Sequence, residues 1–222
     1  MELPFHLSDL QTLKRLQTTL SLRHDTWPAV ITLVGSSRPQ TEIVQQAIAC
    51  YLAQLEPYAQ ASTFIVGGRG EHGSVMDINL DACYQREYHT MVVGVEPIFD
   101  LAGRIPDENV FAFKNISLRC YALTQLADLI IVFPGGLGTI QEIIVPLMHK
   151  KIDINQIDIL NGPQAIFVAT DEPNPVTEFL PILEDQRYIS MTGSIPLIPV
   201  TVANFSTMLA HWLPLLSEPR DT

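Results

Sequence analysis

The sequence predicts an α/β fold: a doubly wound parallel β-sheet with helices on both faces. Three observations predict it. Short apolar runs suited to covered strands alternate with amphipathic stretches of about 10–15 residues, the pattern of repeated strand–helix units. Glycine turns at Gly35, Gly67 and Gly135 each follow such a run, which places all three on the carboxyl edge, where open parallel sheets bind ligands. The stretch 127–142, A-D-L-I-I-V-F-P-G-G-L-G-T-I-Q-E, holds the pattern in its densest form.

The elements follow in order. Residues 8–22 read as a helix, with Ser8 and Gln11 in capping-box spacing and a stripe of Leu10, Leu13, Leu16 and Leu20. Trp27-Pro28 breaks to a strand at 29–34, which ends in Gly35-Ser36-Ser37. Pro39 suits a first helical position, and Ile43, Val44, Ala47, Ile48, Tyr51, Leu52 and Leu55 form a helical stripe. A strand at 63–66 leads to Gly67-Gly68-Arg69-Gly70 and Gly73, then a helix over 74–86. Strands at 91–95 and 110–113 flank a polar loop, and Asn115 caps a helix reaching 126. The run 129–133 stops at Pro134, and three glycines precede a helix with Ile140, Ile143, Ile144, Leu147 and Met148 on one face. After a connector at 154–162 come a strand at 165–169 and a helix starting at Asn174-Pro175. Next is a strand at 196–200, confined to an edge by its prolines, and last a helix capped by Asn204 with Phe205, Met208, Leu209, Trp212 and Leu213 on one face. These elements suggest one domain, with an N-terminal helical extension (1–28), a core nucleotide-binding sheet (29–170) and C-terminal helices (171–222).

Composition narrows the function. The 222 residues are 47% hydrophobic with a mean hydropathy of +0.19, enough for a packed core. No apolar run approaches the ~20 residues of a membrane span, and the first residues lack the basic and apolar regions of a signal peptide; a cytoplasmic location and no membrane partner are expected. A net charge of −11 argues against a nucleic-acid partner. Cys50, Cys83 and Cys120 are isolated, and the six histidines show no ligand spacing, so neither a disulfide framework nor a metal site is suggested.

The chemistry concentrates at the third turn. Gly135, Gly136, Gly138 and Thr139 can offer backbone N–H groups and a hydroxyl to a phosphate at a positive helix end; the same glycines also suit a tight turn and close packing. Glu142 has two readings as well, a catalytic carboxylate or the far end of a Thr139-x-x-Glu142 capping box. Pro146 cannot donate to the Glu142 carbonyl, which predicts a bend over 142–146. A helix over 115–126 is about 17 Å long at ~1.5 Å per residue, close to the length of the following strand at ~3.3 Å per residue. Its start is therefore level with the glycine turn, and Arg119, one turn in, can reach it. Arg69 and His72 in the second loop either face a ligand or are solvated.

On these residues the chain resembles the Lonely guy (LOG) family, whose members were long labelled lysine decarboxylases. The family's P-G-G-x-G-T-x-x-E is met by Pro134 to Glu142, its upstream arginine by Arg119, its A-D by Ala127-Asp128 and its G-S-S by Gly35-Ser36-Ser37. The resemblance implies a Rossmann-like fold, a homodimer or higher homo-oligomer, no cofactor, and hydrolysis of the N-glycosidic bond of a nucleoside 5′-monophosphate such as AMP or a cytokinin riboside monophosphate. It implies Arg119 and Glu142 as the catalytic pair. Substrate binding would fall to Gly35, Ser36, Ser37, Gly67, Gly68, Gly135, Gly136, Gly138 and Thr139. The chain departs from the family at Cys120, where a lysine is usual, at Gln141, where a second glutamate is common, and in the 67–77 loop, where Arg69 replaces a glycine. The competing expectation is a non-catalytic nucleotide or molybdenum-cofactor carrier of the same fold. A pyridoxal-dependent decarboxylase is disfavoured, because no lysine sits in a recognisable setting for that cofactor.

Overall fold

A computed structural model describes residues 7–23, 29–68, 70–96, 105–151, 162–185 and 195–216. In chain order the elements are α1 (Leu7–Arg23), β1 (Ala29–Val34), α2 (Glu42–Gln54), β2 (Ser62–Gly67), α3 (Val75–Gln85), β3 (Thr90–Val95), β4 (Val110–Phe113), α4 (Ile116–Gln125), β5 (Leu129–Val132), α5 (Leu137–Lys151), β6 (Ala165–Ala169), α6 (Pro175–Asp185), β7 (Leu197–Val200) and α7 (Phe205–Leu216). The strands form one sheet in the order β4-β3-β2-β1-β5-β6-β7, with every neighbouring pair parallel. The chain steps outward from β1 to β4, then returns to the other flank of β1 and steps outward again. This is the doubly wound α/β architecture read from the sequence, with β7 at an edge as its prolines require.

The alternation of side chains along β1 separates two cores. Ala29, Ile31 and Leu33 join a cluster with Ile48 and Leu52 of α2, Val75 and Leu80 of α3, and Phe205 and Leu209 of α7. Val30 and Val34 join the opposite cluster, with Leu16 and Leu20 of α1, Leu118 and Leu123 of α4, Ile140 and Ile143 of α5, and Val176 of α6. Helices cover both faces, which explains why β5 and β6 read as unbroken apolar runs. Each buried Val, Leu or Ile contributes about 1.5–3 kcal/mol. Among the described residues no helix is long and apolar enough to cross a membrane.

Several helix starts follow their caps. Ser74 Oγ accepts from Asp77 N to begin α3, and Asn115 Oδ1 accepts from Ser117 N and Leu118 N to begin α4. Asn174 Oδ1 accepts from Val176 N ahead of α6. Three expectations are corrected. Thr41, not Pro39, sets the start of α2, because its hydroxyl accepts from Val44 N; Pro39 lies upstream in a bridge with Ser74. Helix α1 already includes Leu7, so Ser8 sits within its first turn rather than capping it, and the helix buries Asp9 while leaving Leu10 39% exposed. The Asn204 side chain turns back to accept from Thr201 N, and Ser206 N at the start of α7 donates to Gln54 Oε1 of α2 instead. Helix α5 continues unbroken through Pro146. Arg69, most of the connector at 154–162 and the first part of the loop before β4 lie outside the described residues.

The A-D dipeptide before β5 is structural. Asp128 sits at the amino edge of the sheet, where Val30 N donates to its Oδ2 at 2.8 Å and its own N–H donates to Val30 O at 2.8 Å. Asp128→Ala leaves the buried Val30 N–H without that acceptor. The expected cost is about 1–3 kcal/mol of unfolding free energy by chemical denaturation, with ligand affinity of the folded protein unchanged.

Candidate functional site

Because β2, β1 and β5 are adjacent, the three glycine turns meet at one place on the carboxyl edge. The meeting point is the topological switch, where the winding reverses on either side of β1. Backbone bonds hold the turns together. Ser36 N donates to Pro134 O at 3.1 Å, tying the first turn to the third. Glu71 N donates to Ser37 O at 2.9 Å and Met76 N to Ser36 O at 3.2 Å, pinning the second loop to the first.

The glycines divide into two sets. A side chain at Gly35 would collide with Val75, one at Gly70 with Ser74, and one at Gly135 with Thr139. A Cβ at Gly67 would stand 2.6 Å from Arg119 Nη2 and 3.0 Å from Met76 Cε. Gly35, Gly70 and Gly135 need glycine because the chain packs against itself there, whereas a side chain at Gly67 would push aside the end of Arg119. Gly68 is buried, with the Gly94 Cα the nearest atom to its missing Cβ. Gly136 and Gly138 are different: both are exposed, and nothing lies within 4 Å of an added Cβ at either. Neither needs a left-handed backbone, which occurs at Gly73 (φ +75°) instead. No contact within the described chain requires glycine at 136 or 138, so the open space beside them is where a ligand can approach the backbone. The first intrahelical bond of α5 is Ile140 N to Gly136 O. The N–H groups of Leu137, Gly138 and Thr139 therefore precede the helical ladder, at the positive end of the helix.

Arg119 and Glu142 meet, as the length arithmetic places them. Arg119 Nη1 donates to Glu142 Oε1 at 2.5 Å, and its Nε donates to Val93 O at 3.2 Å. The two side chains are 12% and 10% exposed. This overturns the capping-box reading of Glu142. Helix α5 starts at Leu137, so Thr139 lies inside the first turn, and the carboxylate is engaged by arginine. Burial pushes the Glu142 carboxyl above the ordinary carboxylate range; the charge of Arg119 and its hydrogen bond pull the other way. The neighbouring Cys120 thiol is pushed up to about 11 by burial, with the Glu142 charge adding and Arg119 opposing. It is a buried, inert thiol rather than a nucleophile.

The other expected residues separate. Ser36 is half-buried and its Oγ accepts from Arg38 N, whereas Ser37 is exposed. Thr139 is 3% exposed, with its hydroxyl turned toward Gly135 rather than solvent. The His72 side chain is 96% exposed, its Nδ1 3.1 Å from Asp77 Oδ2. A cavity of about 360 Å³ opens at the opposite edge of the sheet, between Tyr84, Glu87, His89, Thr90 and Asn109, and borders none of the glycine turns. Sequence reasoning missed the Val93 carbonyl that anchors Arg119, because a backbone acceptor leaves no mark on residue type.

The fold matches known proteins. The family model described as "Possible lysine decarboxylase" matches residues 76–211, more than half of the chain, and the protein belongs to that family. No curated protein matches it. Among solved structures, it is similar to the molybdenum cofactor carrier protein of Chlamydomonas reinhardtii at 13% identity and a TM-score of 0.52, covering 84% of this chain and 98% of that one. It is also similar to the molybdenum cofactor binding protein of Rippkaea orientalis (14% identity, TM-score 0.54, covering 83% and 97%). A third is DNA processing protein A of Helicobacter pylori, a single-stranded DNA binder (17% identity, TM-score 0.53, covering 89% and 83%). At these identities the likeness shows a shared fold.

Gly67→Ala tests the packing of the pair. The added methyl is expected to displace the Arg119 guanidinium from Val93 O while the sheet stays intact. A crystal structure showing Arg119 unmoved would contradict the packing described.

Proposed function

We propose that the protein is a hydrolase that cleaves the N-glycosidic bond of a nucleoside 5′-monophosphate, giving free base and ribose 5-phosphate. The observation that carries this reading is the buried Arg119–Glu142 pair beside a helix start whose Gly136 and Gly138 face open space. The backbone N–H groups at the start of α5 would bind the phosphate, at a positive helix end that needs no side-chain cation. Departure of the base leaves an oxocarbenium-like sugar. The Glu142 carboxylate, held in a low-dielectric setting, would stabilise that charge and orient the attacking water. Arg119, fixed at Nε by Val93 O, would hold the ribose in register. AMP or a cytokinin riboside monophosphate is the substrate type the motif favours.

A second reading is a nucleotide or molybdenum-cofactor carrier. The closed Arg119–Glu142 bond favours it, since a carboxylate already neutralised by arginine must be partly released before it can serve a cation. The neighbours named as molybdenum cofactor carrier and binding proteins favour it by fold alone.

Incubation with a panel of nucleoside 5′-monophosphates separates the two. Free base from at least one of them is expected; binding without release from any would favour the carrier. Glu142→Gln is expected to lower turnover by roughly 10²–10⁴-fold, measured as base released under single-turnover conditions. Unchanged turnover would remove Glu142 from the chemistry. Gly138→Ala is expected to split stability from function. It replaces a helical glycine at no steric cost and raises stability by up to about 0.5–1 kcal/mol. It also places a methyl where the phosphate approaches, and so weakens nucleotide binding by calorimetry.

A further inference from the structure

Helix α1 lies outside the family-matched segment 76–211, yet it supplies a group to the helix that carries Arg119. Asp9 is 1% exposed, and its carboxylate is spent on backbone: Oδ1 accepts from Lys114 N at 2.8 Å and Oδ2 from Asn115 N at 3.0 Å. Asn115 is the N-cap of α4 and accepts in turn from Ser117 N and Leu118 N. The next helical bond, Arg119 N to Asn115 O at 3.0 Å, starts the turn that carries the guanidinium. The relay from Asp9 through the cap residue to Arg119 is thus continuous and built from short bonds. A carboxylate there also suits the positive end of α4.

The rest of α1 is held separately. Arg15 Nη1 donates to Glu108 O at 3.2 Å and Nη2 to Val110 O, and its guanidinium lies 4.1 Å from the centroid of the Phe111 ring. Leu16 and Leu20 are buried beneath. These contacts hold α1 without Asp9, whose carboxylate instead engages the two backbone N–H groups just ahead of α4.

We propose that Asp9 is a positioning residue for Arg119: it fixes the first turn of α4, and with it the orientation of the guanidinium toward Glu142. The role in turnover rests on the hydrolase reading above, but the orientation of Arg119 does not. The test therefore reads both, on the full chain. Asp9→Ala, Asp9→Asn and Arg15→Ala are compared by the ¹H–¹⁵N resonance of the Arg119 Nε–H group, by kcat and KM for AMP, and by Tm. Asp9→Ala is expected to move the Arg119 resonance and to lower kcat on the order of tenfold or more with little change in KM, as a misplaced catalytic group does. Asp9→Asn, which keeps one acceptor oxygen, is expected to fall between the wild type and Asp9→Ala. If Asp9→Ala does not fold, Asp9→Asn takes its place in both readouts. Arg15→Ala loosens α1 elsewhere and is expected to lower Tm while leaving the Arg119 resonance and kcat in place. An unmoved Arg119 resonance in both Asp9 variants, or an equal displacement in Arg15→Ala, would overturn the proposal and leave Asp9 a simple anchor. If the wild type releases no base from any nucleoside 5′-monophosphate of the panel, the hydrolase reading fails, and the resonance still decides whether Asp9 sets Arg119.

Discussion

The carboxyl edge depends on the approach of two helices to backbone that carries no side chain. Val75, the first residue of α3, packs onto Gly35, and the Arg119 guanidinium from α4 packs onto Gly67. Protein interiors have no slack to absorb an added methyl at such contacts. The close approach on the α3 side brings the second loop within backbone hydrogen-bonding distance of the first turn. The approach on the α4 side lets a long cationic side chain cross the end of β3, bond to Val93 O and still meet Glu142 on the neighbouring helix. Neither contact involves the exposed glycines of the third turn, so the scaffold and the ligand-facing backbone are set by different residues.

Electrostatics assigns the labour within the site. Arg119 has its charge answered by Glu142, and the pair is close to neutral as a unit. An anionic ligand is then drawn mainly by the start of α5, equivalent to roughly half a positive charge at a helix amino end. That term matters in a chain of net charge −11, whose overall field repels anions and is screened beyond about 8–10 Å in physiological salt. An anion held here would be selected at short range, through N–H geometry. Inside the pair, burial favours the neutral carboxyl and arginine favours the charged one, so a ligand that draws the guanidinium away changes the protonation preference of Glu142 as well.

Much of this was legible in the sequence, and the reasons are physical. Strands covered on both faces must be apolar throughout, so 29–34, 129–132 and 165–169 announce themselves. Helix caps use few residue types, so the helix starts at Asn115 and Asn174 could be read directly. Arg119 was placed by length alone, since parallel strands and returning helices of equal span bring their ends level. Apart from the local cap of α2 by Thr41, the failures share a cause, which is contact between parts distant in sequence. The cap on α7 comes from Gln54 and not from Asn204, and the partner of Glu142 is Arg119 and not the Thr139 N–H. Ser8 looked like a cap because its spacing to Gln11 is local, while the residue that matters there, Asp9, serves a helix more than a hundred positions away. Short-range patterns carry no sign of such partners.

The position of β1 has a consequence for how the chain folds. Its partner on one side, β2, is close in sequence, but paired positions on the other side, toward β5, are 98 residues apart, as the Val30–Asp128 contact measures. Closing so long a loop is slow and comes late, because its entropy is lost before the contacts that reward it can form. Ser36 N reaches Pro134 O only once that closure is made, and Arg119 meets Glu142 only when α4 and α5 have both docked. A half-folded chain with β1 to β4 in place would already hold the first two turns, yet would bind no phosphate at the third. A ligand held at the third turn would thus report the last pairing step, and would act as a clasp on the finished sheet rather than a template for building it.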